Sequence, residues 1–179
     1  DYYLQCYVTA SKKSDYMIRP GYMKASLTVA TDLPSWIKET TITFGYGQGT
    51  AGKNLDFNND FPYDYTSNLL GKSLNNTDFI ETNFRMVIYG ACENPEVTIA
   101  GHKYQVNVSI AENEYLTIDS VEKTIVLTHA DGTRENCFNS RNRNSYIFTK
   151  IPSGVSGVSS GHFKFDVTLL EERSEPRWT

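Results

Sequence analysis

The sequence lacks any segment with the apolar spacing of an amphipathic helix over ten or more residues. The best candidate surrounds residues 16–23 and is interrupted by Pro20 and Gly21. Proline removes a backbone donor that a helix interior needs, so this segment does not predict a helix. We therefore expect little helix in the fold.

Long hydrophobic runs are also missing, since no apolar stretch approaches the roughly 20 residues that cross a bilayer. No signal sequence precedes the first strand-like segment, "DYYLQCYVTA", and no initiator Met is present. We expect no membrane insertion, and we expect the chain to be a fragment or a processed product of a longer protein.

The three cysteines, Cys6, Cys92 and Cys137, are far apart and show no C-x-x-C spacing. This argues against a disulfide framework and against a zinc site, and it favours folding in a reducing compartment.

A basic stripe is absent as well. Seventeen basic and twenty-one acidic side chains leave a net charge of −4, and no run of Lys or Arg could follow a phosphate backbone. The closest basic cluster is "SRNRNSY", where Arg141 and Arg143 alternate with polar residues, and this pattern is typical of a solvated loop. We expect no nucleic-acid partner.

What the chain does contain is strand signal from end to end. Aromatic residues make up 13% of it, and short segments alternate apolar with polar residues. About ten such segments, spaced roughly ten residues apart, predict an all-β antiparallel sandwich or barrel. Examples are "KASLTVAT", "NFRMVIYG", "EYLTID", "KTIVLTH", "SYIFTKI" and "HFKFDVTLLEE".

Turn residues predict three hairpins within this pattern. One turns at Gly101 and His102, the next through Asp119 to Glu122, and the third at Asp131 and Gly132.

The glycines of "GYGQGTAGKN" satisfy G-x-G-x-x-G and nearly satisfy the phosphate-loop pattern. A phosphate loop needs a following helix, but "NLDFNNDFPYDY" cannot begin one, and Asn54 stands where Ser or Thr would hold magnesium. We interpret these glycines as a mobile connection and expect no nucleotide or other cofactor. The predicted organisation is a strand-rich segment at 1–46 that ends a truncated N-terminal module, a connection at 47–78, and a β-sandwich at 79–179.

No catalytic or metal-binding arrangement stands out. Asp56, Asn58 and Asp60 have the spacing that opens a calcium loop, but the glycine and the final glutamate of that loop are missing. The histidines 102, 129 and 162 are far apart and lie at predicted turns, and no G-x-S-x-G elbow is present. Glu171 and Glu172 are adjacent on a strand and point to opposite faces, so they do not form an acid and base pair. We expect no enzyme and no metal site.

The C-terminal hundred residues carry the most informative phrases: "IYG" at 88–90, "EYLTIDS" at 114–120, "IPSG" at 151–154 and "ERSEP-W" at 172–178. With "MIRPGYMKASLTVATDLPSWIKETTITF" and "DFPYDY" upstream, the chain resembles the siphovirus-type distal tail proteins of phages and prophages of Gram-positive bacteria. The resemblance lies in strand order and turn placement and includes no catalytic signature.

This resemblance implies a structural role at the virion tail tip, after assembly in the bacterial host cytoplasm. Members of that family form a hub, typically a hexameric ring built by an N-terminal module. A galectin-like or carbohydrate-module-like jelly roll projects outward from the ring. The implied partners are other copies of the chain, the tail tube and the tail-tip or receptor-binding proteins.

An alternative is a carbohydrate-binding module that contacts a host saccharide through exposed aromatics. The candidate contacts, to saccharide or to a partner protein, are Trp36, Tyr63, Tyr65, Arg177 and Trp178. Trp36 and the tyrosines could equally be buried packing. Trp178 could cap the sandwich or contact a neighbouring subunit.

Overall fold

The computed structural model describes residues 1–16, 23–45 and 73–175. Within these ranges almost all regular structure is antiparallel strand, and the one helical element is a 3-10 turn at Phe138–Ser140. The all-β prediction is confirmed. The strands are β1 (Tyr7–Tyr16), β2 (Met23–Ala30), β3 (Trp36–Phe44), β4 (Ser73–Asn76), β5 (Asn83–Tyr89), β6 (Cys92–Glu93), β7 (Glu96–Ile99), β8 (His102–Gln105), β9 (Ser109–Ile110), β10 (Tyr115–Asp119), β11 (Thr124–Thr128), β12 (Arg134–Asn136), β13 (Gly154–Ser160) and β14 (Phe165–Arg173).

The chain divides into two compact units. The first unit comprises Asp1–Glu39 together with Glu171–Thr179, and the second comprises Thr40–Leu170. Strands β3 and β14 each contribute residues to both units.

A six-stranded sheet has the order β12-β11-β10-β5-β14-β3, with β5 in an inner position. Every second residue of β5 is buried, namely Phe84, Met86 and Ile88. Because side chains alternate between the two faces of a strand, this period of two gives β5 one fully apolar face.

The register aligns these residues with buried side chains on the neighbouring strands, so the apolar face continues across the sheet. The two rows across β11, β10, β5 and β14 are Ile125–Ile118–Met86–Val167 and Leu127–Leu116–Ile88–Phe165. Each such side chain contributes about 1.5–3 kcal/mol when it is fully buried.

A four-stranded sheet, β4-β13-β7-β8, supplies the other side of the same core through Leu74, Val97, Ile99 and Tyr104. The rings of Phe84 and Tyr104 meet edge to face, with their centroids 5.2 Å apart. Residues of both sheets form one continuous hydrophobic cluster, so the second unit is a β-sandwich.

The hairpin predictions are largely confirmed. Strands β10 and β11 pair antiparallel around residues 120–123, and β11 pairs with β12 around the turn that contains Gly132. The β7–β8 turn lies one residue before the predicted position at Gly101 and His102. Its central residues are Ala100 and Gly101, which both have positive φ, and Ile99 pairs with His102.

The strand predicted at "SYIFTKI" is wrong. Residues 145–150 form turns, and the backbone N–H and the hydroxyl of Thr149 both donate to the carbonyl of Tyr146. Ile147 and Phe148 are adjacent and both buried, which a strand with one buried face does not allow. The composition is typical of a strand, but the segment instead covers an end of the core.

Most of the predicted connection at 47–78 lies outside the described residues, as does the glycine segment from residue 46 onward. The described end of that range is not a connection, because Ser73–Asn76 form β4 and pair with β13. The predicted connection at 47–78 therefore extends too far, since it includes β4. The predicted segments 1–46 and 79–179 stay predictions.

Gly90 follows β5 where the backbone of another segment passes close by. A Cβ at this position would lie 1.9 Å from the carbonyl oxygen of Ala111, so any side chain must displace backbone. Gly157 in β13 offers a contrast, because a Cβ there meets nothing within 4 Å.

We expect Gly90→Ala to lower the free energy of unfolding by about 1–3 kcal/mol, the usual cost of overpacking. Urea denaturation followed by circular dichroism measures this loss. Gly157→Ala is the matched control and should change stability by no more than about 0.5 kcal/mol. Equal losses in the two variants would contradict the close approach at Gly90.

Candidate functional site

The β1–β2 hairpin of the first unit is a highly exposed element. Side chains at 7–13 and 25–29 are all exposed, on both faces of the ribbon. Among the described strands, β1 and β2 pair only with each other, so neither outer edge of the ribbon joins another described strand. An isolated two-stranded hairpin is at best marginally stable in water.

One face of this hairpin carries three large apolar side chains. Val8 pairs with Val29, and Leu27 lies two residues from Val29 and therefore on the same face. A bulge between Val8 and Ala10 preserves this face, so that Ser11 stands opposite Leu27. Val8, Leu27 and Val29 are 58%, 60% and 51% exposed. We call these three residues the apolar stripe.

The first unit has no apolar core of its own in its described part. Every buried hydrophobic side chain among the described residues lies in Thr40–Leu170. The apolar stripe is therefore exposed apolar surface in a unit whose described part buries no hydrophobic side chain.

Polar contacts hold the start of the chain against β3. Tyr3 and Ile37 exchange two backbone hydrogen bonds of 2.9 and 2.8 Å, and the hydroxyl of Tyr3 donates to Glu39 at 2.6 Å. The hydroxyl of Thr31 donates to the carbonyl of Gln5 at 2.7 Å. These bonds fix the root of the hairpin.

The carboxylate of Glu171 contacts three side chains of this unit, one at the chain start, one on β3 and one on its own strand. It accepts from the hydroxyl of Tyr2 at 2.9 Å and from Nε and Nη2 of Arg173 at 2.7 and 2.6 Å, and it lies 3.4 Å from Nζ of Lys38. Burial by itself raises the pKa of this carboxyl. The hydrogen bonds from Arg173 and Tyr2, with the charges of Lys38 and Arg173, outweigh burial and hold the pKa below its ordinary value.

Of the predicted contact residues, the structure describes Trp36, which begins β3 and is partly buried. Tyr63, Tyr65, Arg177 and Trp178 lie outside the described residues, so their roles stay predictions. Sequence reasoning missed the apolar stripe. The alternation in "KASLTVAT" indicated a strand, but the sequence did not show that Leu27 and Val29 are exposed.

His129 and His102 make local contacts. His129 lies between two carboxylates, with Nδ1 2.7 Å from Oε1 of Glu114 and Nε2 3.3 Å from Oε2 of Glu135. The hydrogen bond to Glu114 is the main reason why the pKa of His129 is raised. His102 packs edge to face against the ring of Tyr104.

Among the described residues, no group of three or more His, Cys, Asp or Glu side chains is placed to hold a metal ion. Asp56, Asn58 and Asp60 fall outside this part of the chain. No helix within residues 1–16, 23–45 and 73–175 is long and apolar enough to span a membrane.

Comparison with solved structures finds the same fold in proteins of phage tails. The chain is similar to SPP1 Dit (gp 19.1), described as a paradigm of the hub adsorption apparatus in phages that infect Gram-positive bacteria, with a TM-score of 0.54 and 10% identity. It is also similar to a chain of the phage P2 baseplate in its activated conformation with Ca, with a TM-score of 0.52 and 13% identity. The corresponding baseplate structure with Sr gives a TM-score of 0.51 and 15% identity.

These likenesses cover nearly all of this chain but only part of the proteins compared. The match spans 94% of this chain and 59% of SPP1 Dit, and 97% of this chain and 65% of the baseplate chain. No protein-family profile matches the sequence, and no curated protein sequence matches it. At such low identity the comparisons show a shared fold.

We expect Glu171→Gln to destabilise the first unit by on the order of 2 kcal/mol near neutral pH, because charged hydrogen bonds are lost from a buried group. The pKa of Glu171 is lowered in the folded state. Its contribution is therefore present above the ordinary value of about 4.5 and is lost as the pH falls through the folded value. The difference in free energy of unfolding between the unchanged chain and the Glu171→Gln variant should therefore become smaller at acid pH.

Urea denaturation followed by the fluorescence of Trp36, in a Trp178→Phe background that leaves one tryptophan, measures this difference. Glu175→Gln removes an exposed carboxylate of the same segment and serves as the control. A Glu171→Gln curve that matches the control at neutral pH would rule out the proposed role of this carboxylate.

Proposed function

We propose that this chain is a structural component of a phage or prophage tail tip, a distal tail or baseplate hub protein. It assembles with further copies of itself and joins the tail tube to tip and receptor-binding proteins. The observation that carries the proposal is the exposed β1–β2 hairpin with its apolar stripe, in a unit whose described part buries no apolar side chain.

The proposed occupant of the hairpin is a second copy of this chain. Burying Val8, Leu27 and Val29 would remove apolar surface from water, and each of the three is more than half exposed at present. The outer edges of β1 and β2 can extend a sheet in a neighbour. Lys12 and Lys13 on the same ribbon are exposed cations in a chain of net charge −4, so another copy offers an oppositely charged surface.

The fold shared with SPP1 Dit and with a phage P2 baseplate chain supports this placement. The proposal includes a ring, hexameric in the full-length protein, at the tip of the virion tail, with assembly in the cytoplasm of the bacterial host. It assigns the chain a role in assembly and no catalytic activity.

We expect Leu27→Glu/Val29→Glu to weaken self-association at least about tenfold, because charges would be buried in the contact. Sedimentation velocity across a concentration series of the 179-residue chain measures the association. Each added carboxylate replaces an exposed apolar side chain, so the fold itself should not lose stability.

Ser26→Glu/Thr28→Glu is the matched control, because it adds the same charge to the opposite face of the same strand. It should self-associate as the unchanged chain does. A chain that stays monomeric at every concentration, or an equal loss in both variants, would refute assembly through the apolar stripe.

A further inference from the structure

The second unit carries an open depression beside the 3-10 turn, on the surface formed by the β10–β11 turn and by residues 138–148. Its volume is about 360 Å³. The residues that line it are Lys123, Phe138, Arg141, Asn142, Arg143, Ser145, Tyr146, Ile147 and Phe148.

The charged side chains that line the depression are all positive. It contains three cations, Lys123, Arg141 and Arg143, and no carboxylate, although the whole chain is acidic with a net charge of −4. No ion pair joins any of these cations to a carboxylate of the described residues. Three like charges in one depression attract an anion.

Aromatic rings hold two of these cations in place. The guanidinium of Arg141 lies 3.9 Å from the ring centroid of Phe138, and its Nη1 donates to the carbonyl of Phe138 at 2.7 Å. Nζ of Lys123 lies 5.4 and 5.9 Å from the ring centroids of Phe148 and Tyr146. Such cation–π contacts restrict the movement of both side chains, which line the depression.

Tyr146 supplies an exposed ring beside the cations. Its side chain is 62% exposed, and its ring meets Phe148 edge to face with the centroids 5.9 Å apart. Its carbonyl accepts from Nε2 of His102 at 2.9 Å and from the hydroxyl of Thr149 at 2.8 Å. The backbone that carries this ring is therefore held by one contact from β8 and by one within its own turn.

We propose that this depression binds a phosphorylated saccharide, with the phosphate against Arg143, Lys123 and Arg141 and the sugar ring against Tyr146. Guanidinium groups match the geometry of phosphate, and an aromatic face receives the C–H side of a sugar. Asn142 and Ser145 add polar groups at the rim.

This proposal does not depend on assembly of the chain. The site uses residues of the second unit alone, and the contacts proposed for assembly lie in the first unit. A nucleic acid fits the depression less well, because no basic stripe leads away from it along the sequence.

Titration calorimetry with glucose 1-phosphate tests the proposal, with glucose, inorganic phosphate and a short single-stranded oligonucleotide as separate arms. We expect saturable binding of glucose 1-phosphate below on the order of 10 mM, with glucose and phosphate each at least about tenfold weaker. The assignment would be overturned if inorganic phosphate bound with the same affinity as glucose 1-phosphate. It would also be overturned if the oligonucleotide bound more tightly than glucose 1-phosphate.

Arg143→Gln and Tyr146→Ala should each lower the affinity for glucose 1-phosphate about tenfold or more. Neither residue is buried, so both variants should fold. Arg134→Gln and Phe79→Ala remove an exposed cation and an exposed aromatic outside the depression and should leave binding unchanged. The proposal would also be overturned if the unchanged chain did not bind glucose 1-phosphate, or if all four variants lost affinity for it equally.

Discussion

The unequal burial of apolar side chains is the constraint on which the rest of this structure depends. In the described residues, the buried hydrophobic set lies wholly within Thr40–Leu170, where two sheets close over one continuous cluster. That sandwich has what a domain needs to be stable by itself. The described part of Asp1–Glu39 contributes nothing to this set, and hydrogen bonds and ion pairs join its segments.

The polar contacts of the first unit follow from that constraint. Glu171 gathers Tyr2, Lys38 and Arg173 around one carboxylate, and the chain start pairs with β3 through Tyr3 and Ile37. These contacts fix the root of the β1–β2 hairpin, while its apolar stripe stays open.

The strands could be predicted from the sequence because their signal is local. The alternation in β5 and the turn at Gly132 needed no knowledge of distant residues. The opposite orientations of Glu171 and Glu172 followed in the same way, and they are confirmed: the first is buried and the second exposed. The segment at 145–151 was mistaken for a strand because composition alone does not show that Ile147 and Phe148 are both buried.

The candidate sites could not be predicted because their parts are far apart in the sequence. "SRNRNSY" indicated a solvated loop, yet Arg141 packs on Phe138, and Lys123 approaches Tyr146 from another turn. The phrase "IPSG" gave no hint that the side-chain amide of Asn76 donates to the carbonyls of Ile151 and Pro152. Sheet order, with β5 between β10 and β14, depends on the same long-range pairing.

Hydrogen–deuterium exchange of the β1–β2 amides, followed as the chain is concentrated, tests the central claim most directly. If the hairpin is an assembly surface, its amides gain protection as concentration rises while those of β5 remain protected throughout. The claim would be contradicted if the chain associates while the β1–β2 amides exchange equally fast at all concentrations.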